Sequence, residues 1–142
     1  MRVLISALRF FPGKTYGSER YLSSLLIALV SNKRADDEII VVGRKETCVW
    51  VSKVSANISL IECVYPSSVI LSLMYEKFKI PLIMKGDNAD VVFFPFNIAP
   101  KINYPSVLML HDLVELFYIE NMPSKVSLKI RLVKLLKYIS IK

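Results

Sequence analysis

Apolar positions along the chain switch repeatedly between an unbroken or alternating pattern and a helical one. Arg2 to Ala7 is a short β-branched-rich run that predicts a first strand. It opens into Leu8 to Gly17, a loop with two glycines and a proline. Leu22, Leu25, Leu26 and Leu29 then fall at i, i+3, i+4, i+7, predicting a helix that lays one stripe on a sheet. Ser18 is the expected cap of that helix, Glu19 suits its positive first turn, and Asn32-Lys33-Arg34 ends it. Glu38 to Val42, closed by Gly43, predicts a second strand, and Ile58 to Val64 a third. Between them, Trp50 and Val51 point to a short helix. From Ser67 to Phe78, Val69, Leu73, Met74, Tyr75 and Phe78 suit a helix that Pro81 interrupts, with a second piece reaching Lys85 before Gly86. Val91 to Phe94 predicts a fourth buried strand, stopped by Pro95, and Phe96 to Pro100 a rigid loop.

The fifth strand is the most informative stretch. Val107 to Leu110 run straight into His111, the chain's single histidine, followed by Asp112. An uninterrupted apolar run of this length predicts a strand buried on both faces of a parallel sheet. Beyond it, Leu128, Leu132, Leu135, Leu136 and Ile139 make one helical stripe within Lys125 to Lys142. Strands alternating with helices predict a Rossmann-like, doubly wound α/β domain over residues 1–142, with a mainly parallel sheet and helices on both faces. With the usual winding, strands one and four meet at the switch point and strand five lies beside four. Three loops, at 10–18, 96–100 and 111–114, then converge on one rim. His111 and Asp112 fall where ligands bind in such sheets, although a histidine that merely caps a strand would occupy the same place.

Composition narrows the class. At 142 residues and 54% hydrophobic, the chain is long and apolar enough to bury a core. No run approaches the ~18–20 apolar residues that span a bilayer, and the amino end does not read as a signal peptide. Cys48 and Cys63 stand alone without a Cys-x-x-Cys, so neither a zinc site nor a disulfide framework is indicated. These features predict a cytoplasmic protein. The net charge of +7 is a local property: six of the nineteen basic residues lie between Lys125 and Lys142, leaving 13 basic against 12 acidic before them. The body is therefore no general polyanion binder, and nucleic acid is not an expected partner.

Two phosphate motifs fail on inspection. Gly13-Lys14-Thr15 would need a glycine at position 8, which is Leu8. Gly13 and Gly17 do not make Gly-x-Gly-x-x-Gly. What remains is a loop leading to a helix N-terminus, a general anion site or simply a connection.

Gly17-Ser18-Glu19-Arg20-Tyr21-Leu22, Ala89 to Phe94, Asn97-Ile98-Ala99-Pro100 and Pro105 to Leu113 occur in an order that resembles the family 4 glycosyltransferases. These are retaining enzymes built from two Rossmann-like domains, the GT-B arrangement, and the resemblance covers essentially the whole chain. It implies an N-terminal, acceptor-side domain whose first glycine loop approaches the donor diphosphate and whose His-Asp pair sits at the cleft. Residue by residue, the resemblance nominates His111 as catalytic, with Gly17, Asn97 and Asp112 binding substrate. Tyr16 stands where the family often has a further glycine. The implied partners are a nucleotide-sugar donor, held mostly by a C-terminal domain this sequence does not contain, and a glycan or lipid-linked acceptor. The expectation is a truncated or split half-enzyme, inactive alone, with no metal and no cofactor. The rival is a non-enzymatic module that meets the inner membrane face, or another partner, through the basic segment 125–142. A third reading is an inert remnant.

Overall fold

Arg2 to Ser6 can be a central strand because every residue after Val3 is buried. In the computed structural model, which describes residues 1–14 and 16–111, this strand, β1 (Arg2–Ser6), pairs in parallel on both sides. Ile5 lies between Val41 of β2 (Glu38–Gly43) and Phe93 of β4 (Val91–Phe94). Adding β3 (Ser59–Glu62) beyond β2 and β5 (Ser106–Leu108) beyond β4 gives one parallel sheet in the order β3-β2-β1-β4-β5. The fold is a Rossmann-like α/β fold with its switch point between β1 and β4.

Alternate side chains of β1 go to opposite layers. Ile5 and Ala7 meet α1 (Tyr16–Asn32) and α2 (Lys45–Val54) through Leu22, Leu26 and Val51. Leu4 and Leu8 pack against α3 (Val69–Gly86) through Ile80, Ile83 and Met84. The leucine stripe of α1 lies on this core as its spacing predicts, with Leu22 and Leu26 fully buried and Leu25 and Leu29 partly so.

Several local expectations need correction. Helix α1 begins at Tyr16, so Ser18 sits inside the first turn and is not the cap. Glu19 does more than face the helix dipole. Its carboxylate accepts the Gly13 N–H at 2.9 Å and the Trp50 Nε1–H at 3.0 Å, fastening the first loop to α2. Strand β5 is the edge of the sheet among the described residues, and Val107 is half exposed rather than buried on both faces. Its apolar run ends the ladder early, since pairing stops at Leu108.

Helix α3 is continuous through Pro81. A proline inside a helix costs about 3 kcal/mol. Burying Ile80, Ile83 and Met84 contributes about 1.5–3 kcal/mol for each side chain, which outweighs that cost. The helix ends at Gly86 with Asp87 as its cap, and the following Asn88, at a φ of +49°, lets Ala89 N–H reach the Met84 carbonyl at 2.9 Å. Its inward face is Ser72, Glu76, Ile80, Ile83 and Met84, whereas Met74 and Phe78 of the apolar pattern point outward.

Gly43 ends β2 against the first turn of α2. A Cβ there would stand 2.8 Å from Thr47 Cγ2 and 2.9 Å from its Cβ. Thr47 is fully buried and its hydroxyl donates to the Phe10 carbonyl at 3.1 Å, so it cannot retreat freely. Gly43→Ala is expected to lower unfolding stability by about 1–3 kcal/mol. A denaturant midpoint unchanged from wild type would refute the close packing of this corner.

Candidate functional site

The carboxyl ends of β1 and β4 deliver two loops to the switch point. Phe10 from the first and Phe96 from the second stack with ring centres 6.0 Å apart and planes 3° from parallel, and Trp50 tilts onto Phe10 at 4.8 Å. This aromatic bridge is the floor that sets the spacing of the loops. Above it lies an open cleft of about 290 Å³ lined by Arg9, Ser18, Phe96, Asn97, Ile98 and His111.

Asn97 shapes one wall. Its φ of +25° is a conformation that asparagine tolerates better than most residues. The turn it makes is closed by a hydrogen bond from Ile98 N–H to the Phe96 carbonyl. Its own N–H donates to the Met109 carbonyl at 3.1 Å, while its Oδ1 accepts the His111 N–H at 2.7 Å. Asn97 therefore ties the loop after β4 to the chain leaving β5. Strain held at such a position is a recurring property of binding loops.

The imidazole of His111 is fixed by what surrounds it. Nε2 lies 2.6 Å from the Pro95 carbonyl oxygen, an atom that only accepts, so Nε2 carries the proton. Nδ1 is then the nitrogen left for a ligand. Tyr21 of α1 packs edge-on against the ring at 4.5 Å, and Phe96 lies at 6.4 Å. Burial raises the pKa of Tyr21, which keeps its phenol protonated beside the imidazole.

Arg9 is the cleft's cation, and the reading of the sequence does not single it out. Its Nη2 donates to Glu76 Oε2 at 3.2 Å, and Nε stands 3.1 Å from Oε1 at ion-pair distance but without hydrogen-bond alignment. The Arg9 side chain is 16% exposed and that of Glu76 1%. Tyr65 donates its hydroxyl to Glu76 Oε1 at 2.5 Å. Burial pushes the Glu76 carboxyl above its ordinary pKa, against the opposing pull of Arg9 and Tyr65. Burial, then the charge of Glu76, raises Tyr65 further, so it stays a donor. One signal in the sequence marks this site: Glu76 is the only acid in a helix whose other charges are lysines.

Of the residues nominated from the sequence, Asn97 and His111 come together in the cleft through a direct hydrogen bond. Gly17 is exposed in the first turn of α1, next to Ser18, and a Cβ there would meet nothing within 4 Å. Asp112 and the segment 125–142 lie outside the described residues. Among the described residues no group of three His, Cys, Asp or Glu side chains gathers to hold a metal ion. Cys48 and Cys63 are both buried and free. No helix among the described residues is long and apolar enough to cross a membrane. No protein-family model, curated protein or solved structure matches the chain.

The Arg9–Glu76 pair yields a pH prediction. Arg9→Met strands a buried carboxylate and is expected to cost about 3–5 kcal/mol near neutral pH. Without Arg9 the Glu76 pKa rises further, so the folded chain holds that proton more tightly than the unfolded chain. Its contribution is then present at low pH and lost as pH rises through the folded pKa. Urea unfolding should show a smaller deficit at about pH 5 than at about pH 8. An equal deficit at both would mean that Glu76 does not depend on Arg9.

Proposed function

We propose that this chain is the acceptor-side, Rossmann-like half of a retaining glycosyltransferase that uses a nucleotide sugar. The observation that carries the reading is the meeting, at the β1/β4 switch point, of the first turn of α1 at Ser18, Arg9, the Asn97 amide and His111, whose Nδ1 has no partner among the described residues. Sugar transfer to an acceptor leaves a nucleoside diphosphate carrying developing negative charge. A guanidinium and the positive end of α1 are suited to that charge, held in place before reaction begins. Gly17 needs no space for the protein's own packing, so its bare backbone leaves room for a phosphate to approach the start of α1.

His111 faces the cleft with its ring held from three sides, as a group that must meet a sugar at a set angle would be. In a complete enzyme assembled with a donor-binding domain, its Nδ1 would accept a hydrogen bond from a sugar hydroxyl or the acceptor. Because Nε2 is engaged by Pro95, only Nδ1 serves this purpose.

The described residues supply one wall of such a site. An exposed helix N-terminus is worth on the order of 1 kcal/mol to an anion. Millimolar affinity requires about 4 kcal/mol. These 142 residues should therefore bind nucleoside diphosphates and nucleotide sugars no more tightly than about millimolar, with amide shifts confined to Gly17, Ser18, Asn97 and His111. Titration followed by nuclear magnetic resonance is the direct test. Micromolar binding, or sugar transfer by the isolated chain, would contradict the half-site reading. In the complete enzyme, His111→Ala should lower turnover by about 10²-fold with little change in melting temperature. His111→Asn, which retains a polar atom near the place of Nδ1, should retain more activity than His111→Gln. The reverse order, or a loss of stability without loss of turnover, would return His111 to a structural role.

A further inference from the structure

Helix α3 bears large apolar side chains on two opposite faces, yet only one of them meets the sheet. An apolar helix face normally has cover. Here Ile70, Leu71, Met74, Phe78 and Leu82 are all exposed, Phe78 by 64% and Leu82 by 66%. Leu71, Met74, Phe78 and Leu82 follow spacings of three, four and four, so at about 100° per residue they form one stripe. The inward side chains Glu76 and Ile80 lie on the opposite face, which directs the stripe straight away from the sheet. Four large apolar side chains in a row, with Ile70 to one side, differ from the scattered exposed residues common on monomers.

The charges around the stripe identify its occupant. Apart from buried Glu76, the charged residues of α3 are Lys77, Lys79 and Lys85. Lys77 and Lys79 flank the stripe on its two sides, and Lys85 lies at its carboxyl end. Beside it, Lys77 and Lys101 line an open cleft of about 420 Å³ with Pro81, Ile102, Asn103 and Tyr104. Cations bordering an apolar band can raise their ammonium groups to headgroup phosphates while the band enters the acyl boundary. A second copy of this face would set lysines against lysines, which disfavours self-association.

We propose that the outward face of α3 docks the protein on an anionic lipid bilayer, lying in the interface rather than crossing it. None of the stripe residues lines the His111 cleft, so failure here leaves the sugar-transfer reading untouched.

Flotation of the full chain with vesicles tests this. The chain should float with phosphatidylglycerol-containing vesicles at low salt, much less at high salt, and not with pure phosphatidylcholine. The double variant Phe78→Ser/Leu82→Ser should remain folded by circular dichroism, because both side chains are exposed, and should lose at least tenfold in binding. Replacing Lys77, Lys79 and Lys85 by Gln should weaken binding about fivefold per lysine. Absence of flotation by the wild type would overturn the proposal. So would unchanged flotation of the α3 variants alongside loss on Lys129→Gln/Lys134→Gln/Lys137→Gln, which would transfer docking to the basic carboxyl segment. A wild-type dimer that the serine variant makes monomeric, without flotation, would assign the stripe to a contact between copies and overturn it equally.

Discussion

Strand β1 has to hide both faces and both edges, and the rest of the domain is arranged around that constraint. Its backbone groups are satisfied by β2 on one side and β4 on the other, and its side chains alternate between two helical layers. Two chain segments that are distant in sequence are thereby forced to end side by side. The loops that leave β1 and β4 have nowhere to go but the same rim, and the cleft follows from the topology before any polar side chain is considered.

Hydrophobic burial positions the strands, but the cleft is tuned by polar contacts over the same core. Phe10 and Phe96 join the loops with an apolar contact that has little directional demand. Arg9 and Glu76 then bind the first loop to α3 through a pair too buried to be held cheaply. Desolvating both charges costs several kcal/mol for each ion, and only their mutual attraction and the hydrogen bond from Tyr65 offset it. A methionine–leucine pair of similar volume would serve stability as well. What the ion pair adds is an arginine fixed in the wall of the cleft, its head group held by a carboxylate that cannot leave.

Helix α3 carries two different demands on its two sides. Inward it closes the second layer and holds Glu76 under the cleft, and outward it presents apolar side chains bordered by lysines. Its nearly uniform hydrophobicity follows from these two faces having opposite directions and similar polarity. The same uniformity erases the periodic signal that normally tells inside from outside.

Much of the fold was legible in the order of residues because local patterns encode local structure. The stripe of Leu22, Leu25, Leu26 and Leu29, the runs at Arg2, Glu38 and Val91, and the break at Gly43 each mark an element that forms where its spacing predicts. Alternation of strands and helices sufficed for the parallel sheet and for the adjacency of β1, β4 and β5. Tertiary structure alone decided which side of α3 faces the core, since Met74 and Phe78 have the same hydrophobicity as residues that are buried. It also decided that β5 is an edge of the described sheet and that α3 passes through Pro81, because neither neighbours nor compensating burial can be counted along a single strand or helix. His111 and Asn97 could be nominated from their places at strand ends, but their hydrogen bond, and the proton on Nε2, arise from a left-handed turn and a carbonyl fourteen or more residues away. Arg9 and Glu76 are 67 positions apart. A pair so separated leaves no spacing to read, and only a sheet that folds β1 against α3 brings the two charges within reach.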